Sequence, residues 1–372
     1  MVDLASQYQK IKKEIDAEIQ QVIDTTSFVK GAKVEEFAKH LEEYLNIKHV
    51  IPVGNGTDAL QIALMALGLK EGDEVITSAF TFVSTAEVIA LLGLTPVFVD
   101  VDPDTFCISA ENVRKAITPK TKVIIPVHLF GQNADMEKLL QIALEHHLYI
   151  IEDACQSIGS LYTFSDGNIL QSGCMGEIGC TSFFPSKNLG CFGDGGALFT
   201  NNNVLAGIMR SVANHGMEVR YCYDRIGVNS RLDSIQAAVL DVKLKYLDNY
   251  IAERRAAAEY YDNAFRSNDK IRIPVRSLKS THVFHQYTLV LDGVDRSLLQ
   301  QKLAERKIPS MIYYPVPLHL QKAYKSNRYK AGDLPVTEYL SENVLSLPMH
   351  TELDEEQLNY IVNNVLDLIK IC

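Results

Sequence analysis

Between positions 45 and 200, short β-branched apolar runs alternate with segments whose apolar positions recur at helical spacing. The runs are HVIPV (49–53), EVITS (74–78), TPVFVD (95–100), KVIIPVHL (122–129), LYIIEDA (148–154), GCTSFF (179–184) and GALFT (196–200). Stretches such as TDALQIALMALGL and AENVRKAI lie between the early runs and carry the 3.6-residue period. Near-continuous apolar strands separated by helices predict an α/β sheet of roughly seven strands, mostly parallel and covered on both faces. The last two runs are separated mainly by a glycine-rich loop, which allows an antiparallel strand there. The N-terminal MVDLASQYQKIKKEIDAEI reads as an amphipathic helix. A long helical pattern spans 232–265. Beyond it HQYTLVL and PSMIYYP read as strands, RSLLQQKLAERK as a helix, and a terminal helix starts near Asp354. This change of pattern predicts a large domain over 1–245, including the N-terminal helix, and a smaller α+β domain over 246–372.

Composition narrows the function. A chain of 372 residues suits two or three domains at roughly 150 residues each. The net charge of -10 disfavours nucleic acid and anionic lipid as partners. No apolar stretch reaches membrane-span length, and the N-terminus lacks a signal-peptide core, so a cytoplasmic protein is expected. Seven cysteines without a CxxC pair read as reduced, buried thiols, and no metal site is expected.

Three strand ends carry candidate chemistry, and ligands of open α/β sheets bind beyond the carboxyl ends of strands. In VGNGTDAL, Gly54, Gly56 and Ala59 match the dinucleotide fingerprint. That fingerprint needs an acid at the far end of the next strand, where Thr77-Ser78 stand instead, so an NAD-dependent dehydrogenase is disfavoured. What remains is a glycine turn opening a helix at Thr57, suited to one phosphate but equally to a plain capped turn. In IIEDACQS, Asp153 ends an apolar strand and Glu152 points to the opposite face. In SFFPSKNLGCFGDGG, Lys187 is delivered into a loop directly after a strand. A phosphate turn, a strand-end aspartate and a loop lysine together match the needs of pyridoxal 5′-phosphate (PLP): an anion site, an acid for the ring nitrogen and a Schiff-base lysine. His128 reads as a satisfied structural histidine, and His146 and His147 as a solvated helix end.

GNGTDAL, FTFVSTAEVI, EDACQS, TSFFPSKNLG, GDGGA and GVNSRLDSIQAA, with VDLASQY and YYPVPLHLQKAY at the two ends, resemble the DegT/DnrJ/EryC1/StrS family. These are PLP-dependent nucleotide-sugar aminotransferases of fold type I. The resemblance implies that Lys187 carries the cofactor, Asp153 pairs with the ring nitrogen, Gln156 lies near the phenolic oxygen and Phe82 stacks on the ring. It implies that Gly56, Thr57 and Ser182 hold the phosphate, with Asn229 from a second subunit, and hence a homodimer with shared sites. Arg231, Tyr313, Tyr314 and His319 would face the substrate, a keto nucleotide-sugar, with glutamate as amino donor. The motifs look most like enzymes acting on UDP-2-acetamido-2-deoxy-3-oxo-glucuronate in surface polysaccharide (O-antigen, lipopolysaccharide) biosynthesis. Other 3-keto or 4-keto deoxysugars, or a non-catalytic sugar-binding homologue, are the alternatives. Many relatives have histidine in place of Tyr313, and some in place of Phe184. A dehydratase branch has histidine in place of Lys187, and this chain does not.

Overall fold

The structure, a computed structural model, describes residues 1–372. Helices α1 (Leu4–Thr25) and α2 (Ala32–Leu45) precede β1 (His49–Val53), α3 (Gly56–Ala66), β2 (Glu74–Ser78), α4 (Ser84–Leu91) and β3 (Thr95–Val99). There follow α5 (Ala110–Ala116), β4 (Thr121–Ile125), α6 (Met136–His146), β5 (Tyr149–Asp153) and a hairpin of β6 (Leu161–Thr163) and β7 (Ile169–Gln171). Next come β8 (Ile178–Ser182), β9 (Gly196–Thr200), α7 (Asn203–Ala213), and a hairpin of β10 (Met217–Val219) and β11 (Cys222–Tyr223). The chain closes with α8 (Ser234–Leu244), α9 (Leu247–Phe265), β12 (Ile271–Arg272), β13 (Tyr287–Leu291), α10 (Arg296–Glu305), α11 (Pro335–Asn343), β14 (Val344–Leu347) and α12 (Glu355–Leu368).

The seven apolar runs form one seven-stranded sheet in the order β1-β9-β8-β5-β4-β2-β3. The pairs β2–β3, β2–β4, β4–β5 and β5–β8 are parallel, whereas β9 runs antiparallel to both neighbours, β1 and β8. Six strands therefore share one direction, and their carboxyl ends share one edge. Alternation along each strand feeds two cores. Ile76, Ile124 and Ile150 pack with Val113, Leu139 and Ile142 on one face. Val75, Val123, Ile125 and Ile151 pack with Leu60, Ala63 and Met209 on the other. Complete burial of an isoleucine such as Ile151 stabilises by about 2–3 kcal/mol relative to exposure. The same parity puts Asp153 on the face of α3 and Glu152 on the other.

A third core, between Ala257 and Ile369, joins α9, α10, α12 and the antiparallel β12-β13-β14 sheet. Its last helix starts with a capping box: Gln357 N–H donates to Asp354 Oδ1 at 2.7 Å, and Gln357 Oε1 accepts from Asp354 N–H at 3.3 Å. Asp3 caps α1, accepting from Ser6 N–H at 2.9 Å. Ile11 and Ile15 of α1 pack on Val239 and Val242 of α8. No helix is long and apolar enough to cross a membrane.

Three expectations are corrected. The helical pattern over 232–265 is two helices, not one: at Lys245 and Tyr246 the N–H groups turn back to Val242 and Lys243 carbonyls, tightening and ending α8. This break lets Leu244 and Leu247 enter the same core. PSMIYYP is not a strand; Met311 makes a single bridge to Ser346, and the flanking prolines cannot extend a ladder. The cysteines are all unpaired, but not all buried, since Cys222 lies exposed on the β10–β11 hairpin.

Candidate active site

At the shared strand edge, β1 ends in Gly54-Asn55-Gly56 and α3 begins. Asn55 accepts from Asp58 N–H at 2.8 Å and so caps the helix. Gly196, at the start of β9, pairs with both Val53 and Ser182, which brings the helix start against the end of β8. Glycine is required on steric grounds. A Cβ on Gly196 would stand 2.4 Å from the Asn55 carbonyl carbon, and one on Gly56 would stand 2.8 Å from Ser182 Cβ and 3.0 Å from Cys155 Sγ. Ser182, Gly56 and Thr57 thus form one cradle at the positive end of α3. Ser230 fixes this corner from another segment, accepting from Gly54 N–H at 2.9 Å and donating to Asp58 Oδ2 at 2.5 Å.

Asp153, 4 % exposed at the end of β5, accepts from the Thr85 hydroxyl at 2.7 Å and from Cys155 N–H at 3.2 Å. Lys187 is half-buried in the loop after β8. Loss of solvation pushes its pKa below the ordinary lysine value, and the neighbouring Cys155 and Asp153 offset this only in part. Gln156 accepts from Phe130 N–H at 2.7 Å and donates to Tyr314 Oη at 3.2 Å. Burial pushes the Tyr314 phenol up, so it stays protonated. Phe82, 54 % exposed just before α4, presents its ring 6.4 Å from that of Tyr314. Tyr313 is half-buried with its ring 5.9 Å from Tyr314.

Three expected residues make no side-chain hydrogen bond or ring contact with this group within one chain. Asn229 is exposed, and its backbone bridges Asn214. Arg231 lines a cavity of about 810 Å³ with Lys30, Arg210 and Arg225, which Ser230 of the cradle corner also borders. His319 is buried, with Nε2 3.1 Å from Glu338 Oε1 and its ring against Tyr329. On the opposite face of the sheet Glu152 accepts from Gly173, Met175 and Gly176 N–H groups and pairs with His128 Nε2 at 2.8 Å. It is a structural hub, and His128 is satisfied as expected. Glu74 is taken by Thr118 and Arg328 at the start of β2, far along the strand from the position a dinucleotide ribose requires.

Thr85 and Cys155, which touch Asp153, and His285, near Lys187, join this group without having been singled out in the sequence. Thr85 was findable, because it lies three residues after Phe82 on the same helix start. His285 comes from a distant segment; burial and the nearby Lys187 and Arg254 hold its imidazole neutral, and no motif marks it.

Residues 9–366 match the DegT/DnrJ/EryC1/StrS aminotransferase family. The chain is 44% identical over 375 residues to a "pleiotropic regulatory protein" of Geobacillus stearothermophilus, covering 100% of this chain and 98% of that one. It is 43% identical to the UDP-2-acetamido-2-deoxy-3-oxo-D-glucuronate aminotransferase of Pseudomonas aeruginosa, covering 97% of each. Among solved structures it resembles NtdA from Bacillus subtilis with bound cofactor PMP, at a TM-score of 0.89 and 34% identity, covering 97% of this chain and 82% of that one.

Proposed function

The chain belongs to the DegT/DnrJ/EryC1/StrS aminotransferase family, and on that premise we propose that it uses PLP to aminate a keto nucleotide-sugar. The observation that carries this reading is the convergence of Lys187, Asp153 and the Gly56–Ser182 cradle at one sheet edge. These residues fit the cofactor. The open N–H groups at the start of α3 and the Ser182 hydroxyl suit a phosphate, the buried Asp153 carboxylate suits a pyridinium, and Lys187 supplies the amine. The PMP carried by the Bacillus structure, the aminated form of PLP, supports the same assignment.

When bound, the cofactor supplies an electron sink that makes the carbon bearing the amino group acidic. Asp153 would face the positive charge of the ring nitrogen, and Thr85 keeps the carboxylate oriented. Lys187 Nζ, neutral over a wider pH range because it is desolvated, would take up the proton of the carbon bearing the amino group and hold it for the 1,3-transfer that transamination requires. Phe82 offers an exposed face for a flat ring, and Gln156, held by Phe130 and Tyr314, offers a polar contact at its edge.

Glutamate is the proposed donor and UDP-2-acetamido-2-deoxy-3-oxo-glucuronate the proposed acceptor, in the cytoplasm and for surface polysaccharide. The Pseudomonas relative supports the sugar, and Arg231 suits a carboxylated ligand. Tyr313, Tyr314 and His319 are proposed to border it. Asn229 and Arg231 are proposed to serve the site of a second copy in a homodimer. Lys187→Ala is expected to abolish turnover; full turnover in that variant would contradict the assignment. Assays with keto sugars bearing or lacking the carboxylate, in wild type and Arg231→Ala, test the acceptor. Wild type should prefer the uronate, and equal use of both sugars would overturn that choice. The regulatory name of the Geobacillus relative raises a second, non-catalytic reading, which predicts no half-reaction with any amino acid.

A further inference from the structure

Helix α8 buries an ammonium that the proposed chemistry does not use. Lys243 is 2 % exposed and has no carboxylate partner; its Nζ donates to the Gly190 carbonyl at 2.8 Å. The same ammonium lies 5.1 Å from the centre of the Phe192 ring. Around it Phe183, Leu189 and Cys191 of the lysine loop pack against Ala237, Leu240 and Leu244 of α8 in one apolar core. An unpaired lysine in such a place is rare, because burying its charge is costly. A methionine or leucine would fill the space without that cost, so the polar contact itself needs a reason.

Two helical turns earlier on the same face of α8, Gln236 Oε1 accepts from Phe192 N–H at 2.7 Å. Lys243 and Gln236 therefore grip the backbone of residues 190 and 192 from one rigid element. The gripped segment is a closed hook. Phe183 N–H donates to Gly195 O at 2.7 Å, Cys191 N–H to Phe183 O at 2.8 Å, and Lys187 N–H to Phe184 O at 2.8 Å. Cys191 Sγ also donates to Phe183 O at 3.0 Å. Gly190 lies so close to Pro185 that a Cβ would stand 2.4 Å from the Pro185 carbonyl oxygen. Displacing Gly190 thus displaces the turn that carries Lys187. On its far side the hook is tied by Asn188 Nδ2, which donates to Val283 O at 2.9 Å.

We propose that Lys243 and Gln236 are positioning residues, a two-point clamp from α8 that fixes the loop and so sets where the Lys187 amine stands. This rests on the assignment of Lys187 above. The clamp acts through backbone groups, so it constrains Lys187 without touching substrate or cofactor. Desolvation lowers the Lys243 pKa to about 8, and either the ammonium or the neutral amine can donate to the Gly190 carbonyl.

The test compares wild type, Lys243→Met, Lys243→Gln and Gln236→Leu. In the cofactor-free chain, amide hydrogen exchange over residues 183–195 should quicken about ten-fold or more in Lys243→Met and Gln236→Leu, while β5 and α12 keep wild-type exchange. In the PLP-loaded enzyme kcat should fall about ten-fold with KM for the amino donor nearly unchanged, because the loss is one of geometry. Lys243→Gln keeps an uncharged donor and should recover part of both. Unchanged loop exchange and unchanged kcat in both disrupted variants would overturn the clamp. Exchange that quickens throughout α2 and α8 as well would also overturn it, in favour of general core support. If Lys243→Met does not fold, Gln236→Leu and Lys243→Gln carry the same comparison. Borohydride reduction of loaded wild type, with peptide mapping, tests the underlying assignment separately. A label absent from Lys187 overturns the catalytic reading and the clamp's purpose, even where the loop exchange behaves as expected.

Discussion

At the scale of single residues, the account depends on charges placed where water is scarce. Asp153 is buried, and its carboxylate accepts hydrogen bonds from the Thr85 hydroxyl and the Cys155 N–H. Asp153→Asn removes the negative charge and should lower kcat about 100-fold or more while the fold is retained, checked by steady-state kinetics beside thermal melting. Thr85→Val should cost less, because it loosens the carboxylate without discharging it. The lowered pKa of Lys187 gives a pH dependence with a definite sign. In the cofactor-free chain the folded state releases this proton at lower pH than the unfolded state. Folding stability therefore rises as pH rises from the depressed value towards the ordinary value of 10.5. Denaturant titrations of cofactor-free wild type and Lys187→Met across that range should show a steeper rise in wild type, because the contribution of Lys243 remains in both. The residues that identify the site were legible because each stands at the end of an apolar run, where a charge or glycine is out of place. Lys243 was not legible: inside an amphipathic helix a lysine reads as solvent-facing, and only the tertiary contact with Gly190 shows otherwise.

Among the elements, the start of α3, the end of β8 and the start of β9 form one rigid corner. Gly196 sits in it with no room for a side chain. Gly196→Ala should destabilise the fold by about 1–3 kcal/mol and weaken PLP retention, read by urea unfolding and by cofactor loss on dialysis. Helix α8 carries a second linkage. The Lys243 pKa is lowered from 10.5 to about 8, so its buried charge opposes folding below about pH 8, and that penalty disappears between there and 10.5. The increment is on the order of 3 kcal/mol. Unfolding at pH 7.5 and pH 10 should differ more for wild type than for Lys243→Met. All seven main-sheet strands were readable, since buried parallel strands give uninterrupted apolar runs. The break between α8 and α9 was not, because neither glycine nor proline marks it. PSMIYYP misled because its apolar composition belongs to packing against other segments rather than to a strand ladder.

For the whole molecule, one chain holds Lys187, Asp153 and the Gly56–Ser182 cradle, while Asn229 is exposed and Arg231 lines a cavity beside Ser230. The proposed homodimer with shared sites would give both residues a role. Lys187→Ala and Asn229→Ala, each inactive or weak alone, should regain up to about one quarter of wild-type activity when unfolded together and refolded, because half the dimers are mixed and each has one intact site. No recovery in verified mixed dimers would place Asn229 with its own chain's site, or with none. Such sharing was accessible in the sequence only through family resemblance, because no local pattern reports which subunit a loop serves. Whether Lys187 carries the cofactor of an aminotransferase is decided by the visible absorbance of PLP-loaded protein before and after glutamate. The account predicts a lysine-linked band that glutamate removes and that Lys187→Ala never shows. A band that persists in that variant, or one that neither glutamate nor any other amino acid alters, would contradict it.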